Sequence, residues 1–372
     1  MANAATAGMH ARLPIEAVVS PGSPGSWGTG EAGRAEQPPA PASGMTIGRS
    51  REGRDIVAHR LGRGPLHLSL IAGCHADEPV GPAMLRRLAA HLESLPEEAP
   101  WLAAASWWIV PHANPDGEER NRAWSEITLP AVDSRGEPDR VYDLAAYARG
   151  AVREAPGDDV EFGFPRSTED EDARPENRAV AAFLAAGAPF HLHASFHGMF
   201  FASGPWFLLE PAWIGRTAAL RDNLRRRVAE MGYRVYDVDR GGEKGFSRID
   251  PGFTTRPDSR AMAAFFRERG EPETAARFRP SSMELVRSLG GDPLTMVSEM
   301  PLFLTPAAAG GAPEPFADPA LRAELSRLAL TASPEDLRAA AVRRGLRGMP
   351  VRDQMRLQLA YLEAAIAAVR GG

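Results

Sequence analysis

Four residues stand out because each interrupts or closes an apolar run with a group that can bind metal or carry a proton. In GCHADEPVG, His75 and Glu78 follow the apolar run LHLSLIAG (66–73) and precede Pro79 and a helical pattern. Ligands of open α/β sheets bind at the carboxyl ends of strands, and a turn there can aim an imidazole and a carboxylate three residues apart at one point. Catalytic zinc takes three protein ligands of the His/Glu/Asp kind and keeps its remaining position for water. A third ligand is expected from another strand end, and FHLHASFHG offers one. With 190–196 as a strand, Phe190, Leu192, Ala194 and Phe196 share one face, while His191, His193, Ser195 and His197 share the other. His197 stands at the end, before Gly198. His191 and His193 lie deeper and read as hydrogen-bonded core histidines, as does His112 in HANPDG; His10, His59, His67 and His91 are given no role. Glu299 in TMVSEMPLF is an acid inside an apolar strand, where an unpartnered carboxylate is costly. Two explanations stay open: an arginine partner, or a metal-bound water for which Glu299 is the general base.

The elements that must position these groups can be read from periodicity. DIVAHRLG, LHLSLIAG and SWWIVPH are short apolar runs fit for strands, and between the last two PVGPAMLRRLAAHLESL repeats its apolar positions at helical spacing. Strand, helix, strand favours a sheet covered by helices. RPENRAVAAFLAAG reads as a helix feeding the strand PFHLHASFH, and LTMVSEMPLFL (294–304) as a final strand. Residues 1–45, with PGSPGSWGTGEAG and EQPPAPASG, are expected to form a flexible leader, since they hold too few large apolar groups to offset the entropy of ordering. The polar stretch 130–175 carries no assignable pattern, and its most acidic part, STEDEDARPE, reads as solvated loop. After Pro306 a linker leads to amphipathic helices, expected to dock on the main domain, so the organisation is leader 1–45, catalytic domain 46–306 and helical extension 307–372.

Composition removes several function classes. The chain has 372 residues with 44% hydrophobic and 24% charged, as a globular protein does, and a net charge of -5 gives no reason to expect a nucleic-acid partner. Lys244 is the only lysine; every other basic side chain is arginine, a bias that strips isolated arginines of meaning. The single cysteine, Cys74, makes no internal disulfide. No apolar run approaches the ~18 residues of a membrane span, and a cytoplasmic location is the expectation.

Taken together, the motifs resemble the zinc carboxypeptidase family. GRSREGRDIVAHRLG, HADEP, ANPDG, RPENRAVAAFL before ASFHG, and SEMP occur in the family's order over about residues 46 to 306. The resemblance implies an α/β fold with a mixed, mostly parallel central sheet flanked by helices, a Zn2+ cofactor held by His75, Glu78 and His197, and Glu299 as general base. It further implies Asp143 in VYDLAAYARG as the group orienting His75, and Arg122, preferred over Arg120, as the cation steadying a developing oxyanion near Trp124. The implied activity is hydrolysis of a peptide or peptide-like amide. A deacylase of small N-acyl amino acids, akin to the aspartoacylase and succinylglutamate desuccinylase branch, and a catalytically silent binding protein are the alternatives. One departure matters: where the family presents Asn-Arg to grip a terminal carboxylate, this chain has Ala145 and Ala146. Arg149, Arg256 and Arg260 are possible replacements, and Tyr233 and Tyr236 are the tyrosines between the distal histidine and the base. The substrate-binding residues stay unassigned.

Overall fold

The computed structural model describes residues 12–20, 43–306, 313, 314, 316 and 318–371. Twelve strands are described: β1 (Met45–Arg49), β2 (Asp55–Leu61), β3 (Leu66–Ala72), β4 (Ala105–Val110), β5 (Thr128–Val132), β6 (Pro138–Tyr142), β7 (Leu192–Ala202), β8 (Trp206–Leu209), β9 (Arg248–Asp250), β10 (Phe253–Thr255), β11 (Leu294–Leu304) and β12 (Arg347–Gly348). Ten form one sheet in the order β1-β2-β4-β3-β7-β11-β8-β10-β9, with β12 added to β11, while β5 and β6 pair separately. The sheet is mixed, as expected. Its centre, β4-β3-β7-β11, is parallel, and antiparallel pairings flank it. The central strands are buried on both faces, so they read as continuous apolar runs rather than alternating ones.

Helices cover both faces. Val80–Ser94 and Val351–Gly371 lie on one side, burying Met84, Leu88, Leu357 and Leu362 completely. Pro175–Gly187 and Ser282–Ser288 lie on the other, around Ile71, Trp108, Val180 and Val286. No helix among the described residues is long and apolar enough to cross a membrane.

The expectation of a flexible leader over residues 1–45 needs correction where the chain is described. Within the presumed leader, Ile15–Val19 is a helical turn, and Leu13, Val18 and Val19 are at most 4% exposed in the main core. The Leu13 amide donates to Glu363 and the Arg87 guanidinium to the Val19 carbonyl. A few apolar residues suffice there because a groove already exists to receive them; residues 1–11 and 21–42 lie outside the described part. The helix Val351–Gly371 packs into the main core: Leu357, Leu359, Tyr361 and Leu362 are fully buried and Tyr361 donates to the Leu208 carbonyl of β8. The linker expected after Pro306 falls mostly on residues outside the described part.

Candidate metal centre

The chain leaves β3, crosses through the helix Val80–Ser94 to β4 on one side, and returns to β7 on the other. That reversal opens a crevice beyond the carboxyl ends of β3 and β7, the place where such sheets bind ligands. Gly73 makes the exit from β3 possible. Its φ of +68° suits glycine, and a Cβ there would lie 2.4 Å from the His112 ring. The following turn aims His75 and Glu78 back at β7, with Glu78 two residues before the N-terminal end of a helix, where negative charge is favoured.

His197 lies inside β7 rather than at its end, because the strand continues to Ala202. β3 stops pairing at Ala72↔Phe196, so the backbone beside His197 opens onto the crevice. The alternation holds: Ser195 Oγ is 2.7 Å from His197 Nε2, and His193 one step deeper is a buried core histidine held by Ser69 and Ser282. On the other side β11 pairs in parallel with β7 in the register Glu299↔His197. Two groups a hundred residues apart are thereby neighbours across a ladder.

His75, Glu78 and His197 converge. His75 Nδ1 is 2.8 Å from Glu78 Oε1, His197 Nδ1 is 3.0 Å from Glu78 Oε2, and the two Nδ1 atoms are 3.1 Å apart. Two ring nitrogens that close repel unless a proton or a cation lies between them. Ligands ~2.0–2.2 Å from a tetrahedral zinc sit about 3.3 Å from one another, so the three donors fit that ion. His197 is held from behind, its Nε2 3.2 Å from Glu161 Oε2, which fixes the ring and leaves Nδ1 toward the shared centre. Cys74, Glu161 and His197 also cluster, and burial and the neighbouring Glu161 push the Cys74 thiol well up.

The electrostatics match this assembly. Burial penalises the Glu78 carboxylate, yet His75, Arg153 and His197 outweigh it and hold its pKa well down. Burial disfavours the charged His197 ring, and Glu161 and Glu78 reverse that and raise it. Glu299 is pushed up to about 8, by burial first and by Glu78 as well, against the pull of His197, His75 and Arg153. Such a carboxyl binds a proton more readily than an exposed one, and a cation at the three donors would draw it back toward the ionised form.

Other expected residues are elsewhere. Asp143 does not touch His75: it caps the helix Leu144–Gly150 by accepting from the Ala145 amide and pairs with Arg338 at 3.0 and 2.5 Å. The carboxylates behind the two imidazoles come instead from the loop before Phe162. Glu161 backs His197, and Asp159 interacts electrostatically with His75. Arg122 is also outside the site, pairing with Glu119 one turn back on a half-exposed surface, and Arg120 pairs with Glu52. The helix Pro115–Ser125 turns Asn121 and Trp124 inward, and positions 120 and 122 lie off that face. The cation at the centre is Arg153, 3.1 Å from Glu78 and 3.2 Å from Asp77. Arg256 is consumed by Glu210 and Thr295, Arg149 by the Ala332 carbonyl, and Tyr233 by Asp353; Tyr236 alone of the two tyrosines reaches the cleft. Nothing in the sequence singled out Arg153. Glu161 could have been found, since VEFGF sets an acid among apolar residues just as SEMPLF does.

The centre opens into a cavity of about 370 Å³, with His75, Arg153 and Glu299 at one part and Phe200, Trp206 and Phe246 among its walls. Residues 33–200 match the family model described as zinc carboxypeptidase. Over this stretch the chain is similar in sequence to zinc carboxypeptidases. The zinc carboxypeptidase match takes in His75, Glu78 and His197 and ends before Glu299. Among solved structures, the chain is similar to a candidate metallopeptidase from Shewanella amazonensis, at 15% identity and a TM-score of 0.45, over 87% of this chain and 85% of that one. It is also similar to a metallo-carboxypeptidase from Burkholderia cenocepacia, at 16% identity and a TM-score of 0.43, over 89% and 65% of the two chains. Bovine thrombin-activatable fibrinolysis inhibitor, in complex with tick carboxypeptidase inhibitor, gives 12% identity and a TM-score of 0.44 over 88% and 90%. No curated protein matches the chain.

Proposed function

We propose that this chain is a zinc-dependent hydrolase of a peptide or peptide-like amide bond, with His75, Glu78 and His197 as metal ligands and Glu299 as general base. The observation that carries the reading is the meeting of three ligand atoms, from the turn after β3 and from within β7, with a fourth group, Glu299, held beside His197 by strand register. A zinc ion there would polarise the scissile carbonyl and acidify a bound water. Glu299 takes a proton on its carboxylate and returns it to the departing amine. Glu161 and Ser195 orient the His197 ring, and Arg153 steadies negative charge developing next to Glu78. The cavity is roomy and aromatic, which favours a peptide over a small acylated amino acid.

The test is metal analysis beside turnover on a panel of peptides and N-acyl amino acids. Native protein is expected to hold stoichiometric zinc and cleave peptides; His75→Ala should lose both, and Glu299→Gln should keep zinc and lose turnover by ~10²–10⁴-fold. Unchanged turnover in Glu299→Gln would refute its assignment, and activity confined to N-acyl amino acids would make the chain a deacylase.

A further inference from the structure

Away from the metal ligands, the cleft changes character. Around the centre its charges are mostly acids, Asp77, Asp159, Glu161 and Glu299 with Arg153 among them, whereas Arg240, Lys244 and Arg322 stand with the aromatic walls. Arg240 is neutralised by Glu243 and stacked between Phe246 and Phe316, at 4.5 and 3.8 Å, so it serves the wall itself. Lys244 and Arg322 are different. Lys244 Nζ lies 4.4 Å from the centre of the Phe265 ring, and the Arg322 guanidinium lies 5.6 and 5.4 Å from the rings of Phe200 and Phe201. Among the described residues, neither has a carboxylate within ion-pair reach.

Lys244 is the more telling of the two. It is the one ammonium in a chain that otherwise uses arginine for every basic side chain, so compositional drift does not account for it. It is also the one described non-glycine residue with positive φ, +56°, a conformation a lysine does not adopt for its own benefit. Burial first, then the nearby Arg240, lowers its pKa against the weaker opposing pull of Glu243 and Glu271. An ammonium is a compact point charge on a flexible stem, suited to a single carboxylate at the end of a side chain.

We propose that the cleft is selective for peptides whose residue in this aromatic half carries an acidic side chain, its carboxylate held by Lys244 with Arg322 contributing from the C-terminal helices. The proposal rests on the hydrolase reading for its location and deepens it. Arg153 lies 3.1 Å from the ligand Glu78, so a charge next to the scissile bond has its own partner, and Lys244 and Arg322, which line the same cavity, answer to a second anion on the substrate.

The test uses the full chain loaded with zinc and carrying Glu299→Gln, so that binding is read without turnover. Calorimetric affinities are compared for N-benzoylglycyl-glutamate, N-benzoylglycyl-glutamine and N-benzoylglycyl-leucine. The glutamate peptide is expected to bind at least about tenfold more tightly than the glutamine one, with Lys244→Gln abolishing that ratio, Lys244→Arg keeping most of it and Arg322→Gln reducing it. Equal affinities, no measurable binding of any peptide, or a ratio that survives Lys244→Gln would overturn the proposal. A loss common to all three peptides in Lys244→Gln would overturn it too, by assigning the lysine to the terminal carboxylate they share. If native protein cleaves no amide while the glutamate preference persists, the hydrolase reading fails and the recognition stands.

Discussion

The paired strands β7 and β11 and the loop between Ala151 and Arg174 both deliver charged groups to the same centre, and they do so by different physics. In the strands, His197 and Glu299 are fixed by a continuous parallel register running from Leu294↔Leu192 to Leu304↔Ala202, so each side chain's direction follows from its place in the alternation. In the loop, Arg153, Asp159 and Glu161 hold their places through what they touch: Arg153 through Asp77 and Glu78, Asp159 through the Phe162 amide, Glu161 through His197. Strand groups are set by backbone and loop groups by one another. Damage to the strand pair should therefore be chemical, and damage to the loop should be graded.

The sharpest way to break that contrast is to replace Arg153. Arg153→Ala is expected to lower kcat/KM by roughly 10²–10³-fold, the size seen when an electrostatic stabiliser is removed. Arg122→Ala, on its half-exposed surface, should change it less than about twofold; equal losses would mean the helix Pro115–Ser125 reaches the cleft after all. Next in size is Glu161→Gln, for which zinc affinity in a chelator competition should fall ~10–100-fold with the ligands intact. An unchanged affinity would leave His197 oriented by β7 alone and erase the distinction between the two regions. The smallest effect is expected at Asp143, which is 1% exposed but works on a helix end and on Arg338. Asp143→Ala should cost about 1–2 kcal/mol in denaturant unfolding without altering zinc affinity; a loss of zinc would restore it as a partner of His75.

The same contrast explains what was legible in the sequence. His75, Glu78, His197 and Glu299 each stand at a break in an apolar pattern, and the parallel centre of the sheet follows from such runs alternating with helical ones. Asp143 and Arg122 were misplaced because resemblance supplies a position along the chain and not a direction: one amino acid off the inward face of a helix, Arg122 meets Glu119 instead of the cleft. Arg153 and Asp159 were invisible because a charge in a polar loop looks solvated until the fold presents its partner. Leu13, Val18 and Val19 were missed for a related reason, since too few of them adjoin to suggest a core and they bury themselves on surfaces supplied by the helix Val351–Gly371 and its neighbours.

That helix has one more consequence, for the order of events during synthesis. Gln358 reaches the carbonyl of His197 itself, and the hydrophobic layer under β7 and β11 is closed by residues made more than 150 positions after that histidine. While a ribosome is still producing them, that face of β7 is covered by the helix Val80–Ser94 but not yet by Val351–Gly371, so the layer beneath the crevice is incomplete. The crevice is thereby completed only after translation has passed the helix Val351–Gly371.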